Sequence, residues 1–154
     1  MKIHKPPFNI RTIDLQTKSL FLAGSIEMGD ATNWQMEIED YLSEYDGNIL
    51  NPRRDDWDSS WTPSANNKQF RQQVEWELYG LDNAAVIAMY FEPKTKSPIS
   101  LLEFGMHMRS GKVIVCCPDG YEKKGNVEVT CKFYGVPMYE TLDELKEALK
   151  LVVI

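Results

Sequence analysis

The sequence has few of the residues that build disulfide or metal sites. It has three cysteines among its 154 residues, and an odd number with Cys116 and Cys117 adjacent supports neither a disulfide framework nor a CxxC-type zinc site. Its two histidines, His4 and His107, have no third ligand at a suitable spacing. We therefore expect reduced, partly buried thiols and no metal.

Long apolar runs and an excess of positive charge are also absent. No run approaches the ~20 apolar residues of a membrane span, and the first residues lack the apolar stretch of a signal peptide. The net charge of −6 provides no basic field to attract a phosphate backbone. We expect a cytoplasmic protein that binds small molecules and neither nucleic acid nor a membrane.

What the sequence does have is an alternation of short apolar runs and helical periodicity. With 43% hydrophobic residues and no low-complexity tract, residues 1–154 suit one domain. The alternation predicts an α/β fold with a doubly wound, five-stranded parallel sheet of order 2-1-3-4-5. Strands are expected at 19–23, 47–50, 84–90, 112–117 and 136–139, and helices at 33–45, 67–81, 100–110, 126–133 and 141–151.

Several residues are predicted to begin or end these helices. Gly80 and Gly111 lie where the second and third helices should stop. Thr141 and Glu144 have the spacing of a capping box at the start of the last helix.

Ligands of such folds bind at the carboxyl ends of the strands, and the loop after the third expected strand leads to Glu103. This glutamate should lie in the first turn or two of a helix, where the helix dipole favours an anion. Leu102 and Phe104 beside it would partly desolvate it, so it could act as a nucleophile on a carbon such as a sugar C1′. An ordinary surface glutamate near a helix start would have the same spacing.

A tight turn follows the first expected strand at Gly24 and Ser25. Its backbone N–H groups and hydroxyl could hold a sugar or phosphate oxygen, although a plain connection between strand and helix has the same pattern. Neither Ser25 nor Ser97 has an obvious histidine partner, which argues against a serine-hydrolase triad.

Taken together, four short motifs resemble the nucleoside 2-deoxyribosyltransferases and the related deoxynucleoside 5′-monophosphate N-glycosidases. The motifs are FLAGSI at 21–26, Trp76-Glu77-Leu78 followed by Gly80, Ser97 six residues ahead of Glu103-Phe104-Gly105, and Gly111-Lys112-Val113.

The resemblance implies a flavodoxin-like (Rossmann-like) three-layer sandwich. It also implies that Glu103 attacks C1′ of a 2-deoxyribonucleoside and forms a covalent glycosyl-enzyme, which an acceptor base or water then releases. Using one carboxylate twice on the same carbon retains its configuration. This chemistry needs no cofactor.

The resemblance also suggests supporting roles. Glu77 matches an aspartate that contacts the nucleobase, which makes it a candidate for guiding protons to and from the leaving base. A solvated helix carboxylate is the alternative. Ser97 is an aspartate in the transferases and a serine that meets the phosphate in the monophosphate glycosidases, whereas Glu27 and Asp30 replace the basic residues expected near a phosphate.

The polar loop at 51–65 contains further candidates for substrate binding. Arg53 and Arg54 could supply positive charge if the loop folds over the pocket, although arginines in such loops are more often solvated. Trp57 and Trp61 could stack on a base or could cover the edge of the core.

Asn126 aligns with an asparagine that, in the transferases, reaches the sugar 5′-hydroxyl in a neighbouring subunit. This implies a homo-oligomer with shared active sites. A loop asparagine that caps the next helix is the alternative.

The sequence thus favours an enzyme that cleaves the N-glycosidic bond of deoxynucleosides and transfers deoxyribose to another free nucleobase. Hydrolysis of a nucleoside 5′-monophosphate is the alternative reaction. A nucleotide-binding module without turnover is the alternative from another class of protein.

Overall fold

A computed structural model describes residues 1–26 and 32–153 as one parallel sheet with helices on both faces. The sheet has the order β1-β3-β2-β4-β5-β6. Its strands are β1 (Lys2–His4), β2 (Ser19–Gly24), β3 (Asn48–Leu50), β4 (Val86–Tyr90), β5 (Val113–Cys116) and β6 (Met138–Tyr139). The helices are α1 (Trp34–Tyr41), α2 (Lys68–Asn83), α3 (Pro98–His107), α4 (Lys124–Tyr134) and α5 (Leu142–Val153), with a 3₁₀ turn at Ile10–Thr12.

The prediction of a five-stranded sheet with order 2-1-3-4-5 is wrong at one edge. A sixth strand, β1, pairs in parallel with β3, with Lys2 opposite Asn48 and His4 opposite Leu50. Strand β1 has three largely exposed residues, so no apolar run marks it, and backbone pairing with β3 defines it. Within the six strands, the five expected ones keep their relative order.

Side chains alternate between the two faces of the sheet and produce three layers, as in Rossmann-like folds. In β2, Phe21 and Ala23 point to the cluster formed with α2, α3 and α4, whereas Leu20 and Leu22 point to the cluster formed with α1 and α5. All four are buried because helices cover both faces.

Gly80 does not end α2, so its prediction as a terminator is wrong. It lies inside the helix, and a Cβ atom there would be 2.6 Å from Cε2 of Phe21. The glycine therefore allows α2 to approach the central strand β2 closely. The last turn of α2 is stabilised instead by Lys112, whose Nζ donates to the carbonyl oxygens of Leu81 and Asp82 at 2.9 Å.

The capping box of α5 is confirmed. The Glu144 carboxylate accepts from the Thr141 backbone N–H at 3.0 Å, and the Thr141 hydroxyl accepts from the Glu144 backbone N–H at 3.2 Å. Gly111 has a left-handed φ of +76°, but α3 ends at His107 with Met108 as its cap, so the prediction that Gly111 ends this helix is wrong. None of the helices described is long and apolar enough to cross a membrane.

Candidate active site

The centre of the site is the carboxyl edge of the adjacent strands β2 and β4. Gly24 ends β2 opposite Tyr90 with a φ of +141°, and a Cβ atom there would be 2.4 Å from the Tyr90 carbonyl oxygen. A side chain is excluded at this position by both the dihedral angle and the close approach. The chain then turns, and the Ser25 backbone N–H donates to the Tyr90 carbonyl at 3.0 Å.

Three buried hydroxyl groups lie together directly after these strands. The Oγ atoms of Ser25 and Ser97 are 2.5 Å apart, and Thr95 Oγ1 is 3.2 Å from the first and 2.8 Å from the second. We call Ser25, Thr95 and Ser97 the hydroxyl cluster. The Glu92 backbone N–H donates to Ser25 Oγ at 2.9 Å, which joins the cluster to the loop after β4. Sequence reasoning missed Thr95, which has no distinguishing motif.

Ser97 is held in an unusual conformation. It precedes α3 with a φ of +47° and a ψ of 54°, the left-handed region that non-glycine residues rarely adopt. Its hydroxyl makes no cap to α3 and lies instead in the hydroxyl cluster. Such local strain is common at binding and catalytic sites.

Glu103 is buried on the same side of α3 as Ser97. Ser97, Ser100, Glu103 and His107 follow one another at three- and four-residue steps, and all are less than 9% exposed. Glu103 is the sixth residue of α3, beyond the first turn that the dipole stabilises most. The expectation of a favoured anion is therefore wrong: burial, with the charge of Glu77 adding to it, raises the pKa of Glu103 to about 8.

Glu77 approaches Glu103 from α2. It is half-buried, and burial raises its pKa to about 7, with a hydrogen bond from Gln73 acting in the opposite direction. Because the charge of Glu77 also raises the pKa of Glu103, the two carboxyl groups are electrostatically coupled. Helices α2 and α3 thus carry two carboxyl groups whose pKa values are raised to near neutral pH. We call Glu77 and Glu103 the carboxyl pair.

Gln73, which sequence reasoning also missed, contacts this pair. It is 6% exposed, and its Nε2 donates to Glu77 Oε1 at 2.7 Å and to the Pro52 carbonyl oxygen at 2.9 Å. The only sequence signal is its position four residues before Glu77 on a helix.

Comparison with protein families now identifies the chain. A model described as nucleoside 2-deoxyribosyltransferase like matches residues 17–121, about two-thirds of the sequence. The chain belongs to the nucleoside 2-deoxyribosyltransferase-like family. The matched residues contain the hydroxyl cluster and both carboxyl groups of the pair. A comparison with curated proteins found no match.

In this deoxyribosyltransferase-like chain, the two arginines of the loop after β3 have different surroundings. Arg54 is bound in the loop, with Nε 2.7 Å from an Asp56 oxygen and its guanidinium 4.9 Å from the Trp61 ring centroid. Trp57 packs edge-on against Trp61, with ring centroids 5.0 Å apart. Arg53 is half-buried, and its Nε has no hydrogen-bond partner in the described structure. Of the two, Arg53 is therefore the arginine with a buried donor to offer a ligand.

Buried polar atoms without a partner occur in this deoxyribosyltransferase-like chain on segments that follow the strands of the site. Buried groups of this kind are rare in native proteins and call for an explanation such as a ligand. Within residues 1–26 and 32–153 they belong to Gln35, Arg53, Gln73 and Glu92. All four side chains come from segments that follow β2, β3 or β4, the strands whose carboxyl ends form the site.

The remaining sequence candidates lie apart from this set. Asn126 is exposed in the first turn of α4, whose cap position is Lys123, so a capping role is wrong, and it lies outside the residues that the family matches. His107 is 3.9 Å from Asp82, and burial lowers its pKa. Across the described ranges, no three His, Cys, Asp or Glu residues are grouped to hold a metal. Glu27 and Asp30 lie outside the described residues.

Two surface cavities lie away from the carboxyl pair. One, of about 330 Å³, separates the N-terminal segment around Phe8 from the outer side of α2, and the other, of about 390 Å³, lies at the amino edge beside Lys112. Neither is lined by Glu77 or Glu103. Ligands of open α/β sheets bind at the carboxyl edge of the strands, so we do not assign a substrate to either cavity.

Proposed function

We propose that the protein cleaves the N-glycosidic bond of 2-deoxynucleosides and transfers the deoxyribosyl group to another nucleobase. The observation that carries this proposal is a pair of electrostatically coupled carboxyl groups with raised pKa values, buried Glu103 on α3 and half-buried Glu77 on α2. Environments that raise the pKa of carboxyl groups towards neutrality are suited to nucleophilic and acid–base work. Membership of the deoxyribosyltransferase-like family supports the reaction class.

In the first half-reaction, a Glu103 oxygen forms a bond to C1′ while the bond from C1′ to the base nitrogen breaks. The electron pair stays on the base, which takes a proton from Glu77. An acceptor base then attacks C1′, gives its proton to Glu77 and releases Glu103 as a carboxylate. Two displacements at one carbon retain the configuration.

The pair must hold one proton for this sequence to begin, with Glu77 protonated and Glu103 ionised. With pKa values of about 7 for Glu77 and about 8 for Glu103, the singly protonated pair is most abundant between those values. The proton then lies mainly on Glu103, so the reactive form, with the proton on Glu77, is the minor of the two singly protonated forms and keeps a constant share of them as pH changes. We expect a bell-shaped pH dependence with its maximum between about pH 7 and pH 8.

The hydroxyl cluster is the proposed site for the sugar. Gly24 allows the chain to pass close to Tyr90, and Ser25 and Ser97 supply hydroxyl groups on the side of α3 that carries Glu103. Arg53 offers a buried donor from the loop after β3, and Trp57 is the proposed aromatic contact for a base.

Hydrolysis of a deoxynucleoside 5′-monophosphate is the second candidate. The serine at position 97 favours it, because a hydroxyl can donate to a phosphate oxygen where an aspartate would repel it. Glu92 opposes it, since its backbone N–H contacts Ser25 and its carboxylate is partly buried nearby.

The experiment is a chromatographic assay for released or exchanged base. The protein, Glu103→Ala and the control Glu75→Ala are incubated with deoxynucleosides or their 5′-monophosphates, with and without a second base. Glu75 lies on α2 two residues from Glu77, but it is exposed. Exchange that only Glu103→Ala loses supports the transferase, and release without an acceptor supports the hydrolase.

A protein that binds these compounds without forming product would contradict the enzymatic proposal. Stabilisation by a nucleotide in a thermal melt, with no product from any substrate, would indicate a nucleotide-binding module instead.

We also propose a homo-oligomer whose active sites are shared, with Asn126 contributed by the neighbouring copy. The outer side of α3 supports association, because Ile99, Leu102 and Met106 form an exposed apolar stripe. On α4, Phe133 is 80% exposed. Light scattering should give a mass above 17.8 kDa that Leu102→Lys lowers. A monomer at assay concentration that turns over normally would contradict the shared site.

A cytoplasmic setting is proposed as well. The three cysteines are free and buried, as is usual for proteins of reducing compartments. Alkylation of the protein from cell extracts should label all three after unfolding without a reductant.

A further inference from the structure

Gln73 connects the carboxyl pair to the loop after β3. The residue is 6% exposed on α2, one turn before Glu77. Its Nε2 lies 2.9 Å from the Pro52 carbonyl oxygen and 2.7 Å from Glu77 Oε1. One amide group thus fixes the distance between a catalytic candidate and the loop that carries Arg53.

The chemistry of these partners determines which end of the amide faces them. A proline carbonyl can only accept, so the Gln73 nitrogen must face Pro52. The two hydrogens of that nitrogen supply the two observed bonds, one to Pro52 and one to Glu77 Oε1. Rotating the amide by half a turn would place its oxygen against two acceptors.

This orientation restricts the proton of Glu77. Since Oε1 accepts from Gln73, a protonated Glu77 must carry its hydrogen on Oε2. The Gln73 oxygen meanwhile is buried without a hydrogen-bond partner in the described residues, which is an unfavourable arrangement for an amide that only stabilises the fold.

We propose that Gln73 is a positioning residue that fixes the Glu77 carboxyl group and confines its exchangeable proton to Oε2. The inference rests on the proposed role of Glu77 in proton transfer to the base. Gln73 itself touches neither substrate nor reacting atoms in this scheme. Its effect is to keep one oxygen of Glu77 as an acceptor and the other as the single site of proton exchange.

Other charged groups near Glu77 act on the same proton. Glu103 on α3 interacts electrostatically with Glu77, and repulsion between the two negative charges favours a pair that retains one proton. Arg53 follows Pro52 in the loop and would favour the ionised form if it turned towards Glu77. The Gln73 hydrogen bond favours the ionised form too.

The first test needs no activity. The side-chain carboxyl ¹³C signal of Glu77 is titrated by NMR in the unchanged protein, in Gln73→Met and in the control Gln69→Met. Gln69 is the same residue type one turn earlier on α2, but it is exposed. Loss of a hydrogen bond to a charged group should raise the Glu77 midpoint by about one pH unit in Gln73→Met and leave Gln69→Met unchanged. An unchanged midpoint in folded Gln73→Met would overturn the proposal.

A second measurement avoids substitution at this position altogether. In the unchanged protein, the side-chain amide resonances of Gln73 should move with the titration of Glu77, and this movement should disappear in Glu77→Gln. Gln73 amide resonances that stay constant while Glu77 titrates would contradict the proposed orientation of the Gln73 amide. This result decides the question even if Gln73→Met does not fold.

The activity assay separates this proposal from the proposed function. If the protein exchanges bases, Gln73→Met should lower kcat more than it raises KM and should shift the pH profile upwards, because the Glu77 pKa rises. Gln73→Glu, which removes both donors and adds a carboxyl group, should shift it further. A protein that never releases base contradicts the proposed function, while the NMR result still decides the role of Gln73.

Discussion

The acidic side chains of α2 and α3 that belong to the carboxyl pair have a different environment from the charged side chains of α4 and α5. On the first pair, Glu77 and Glu103 are withdrawn from solvent and their pKa values are raised. On the second pair, acidic and basic groups stay near the surface and find partners, as Lys146 does with Asp143 at 3.1 Å. On α4, Glu128 pairs with Lys132 at 3.3 Å. The same residue type, glutamate, is therefore withdrawn from solvent in one region and paired with a cation near the surface in the other.

The comparison shows that the energetically unfavourable groups of this fold, carboxyl groups withdrawn from solvent, lie on α2 and α3. Burying a carboxyl group without an ion partner is costly unless it is protonated, whereas an exposed ion pair contributes little in either direction. Two such groups that interact electrostatically are hard to explain as contributions to stability. They are what a site that moves protons requires.

The largest difference between the regions should appear in activity. Glu77→Gln removes the proposed proton donor and should slow base release by about 10²- to 10⁴-fold, whereas Glu128→Gln on α4 should leave the rate unchanged. Initial rates measured by chromatography test this. Removing the Glu77 charge also lowers the pKa of Glu103, so the acid limb of the residual activity should move to lower pH. Equal rates for Glu77→Gln and Glu128→Gln would contradict the proposed role of Glu77 as the proton donor.

The next largest difference should appear in how stability depends on pH. The folded pKa of Glu103, about 8, exceeds the ordinary value of 4.5, so between these values the folded state binds more protons than the unfolded state. Stability therefore falls as pH rises through this window, by up to about 1.4 kcal/mol per pH unit for one such group. Urea unfolding at several pH values should show this decline and its reduction in Glu103→Gln.

Three other effects must be separated from that decline. The raised pKa of Glu77 gives a decline of the same sign between pH 4.5 and about 7, and Glu103→Gln retains Glu77. The lowered pKa of His107 gives the opposite slope below pH 6.5, and comparison with Glu103→Gln at each pH removes this shared contribution. The lowered pKa values of Asp14, Asp56 and Asp58 act only at and below about their ordinary value of 3.8. If Glu103→Gln and the unchanged protein had parallel pH dependence, Glu103 would not be buried as described.

A smaller difference concerns packing. An alanine methyl group at Gly80 of α2 would lie 2.6 Å from the Phe21 ring, so Gly80→Ala should destabilise the fold by about 1–3 kcal/mol. In α4, a methyl group at Gly125 meets nothing within 4 Å, and Gly125→Ala should be neutral or stabilise by up to about 1 kcal/mol. Denaturant midpoints compare the two. A stable Gly80→Ala would mean that α2 can move away from β2.

The apolar patterns of the sequence suffice to predict most of the sheet and its helices. The run at 84–90 is β4 and lies between β2 and β5, because a strand covered on both faces needs apolar residues throughout. Strand β1 and the packing role of Gly80 could not be predicted in this way. Each depends on a neighbour distant in sequence, Asn48 to Leu50 in the first case and Phe21 in the second.

The candidate site likewise contains residues that the sequence predicts and one that depends on contacts distant in sequence. Glu103, Glu77, Ser25 and Ser97 were identified from short motifs. Their burial or proximity became visible only in the folded structure, where α2 and α3 cover the same face of the sheet. The direction of the Glu103 pKa was mispredicted because a local rule, the helix dipole, was weaker than burial. Gln73 was missed since its significance comes from two contacts, with Pro52 and Glu77, that helix periodicity alone does not reveal.

The smallest expected effect concerns the capping box at the start of α5. Thr141 caps α5 reciprocally with Glu144, so Thr141→Ala should lower the free energy of unfolding by about 1 kcal/mol. Because this contact lies outside the carboxyl pair, the pH profile of activity should be unchanged in the variant, in contrast to Glu77→Gln. Denaturant unfolding and a pH–rate profile on the same preparation measure both quantities. A shifted pH profile in Thr141→Ala would show that the two helix pairs are coupled. The capping contact of α5 would then affect the titration of Glu77 and Glu103 on α2 and α3.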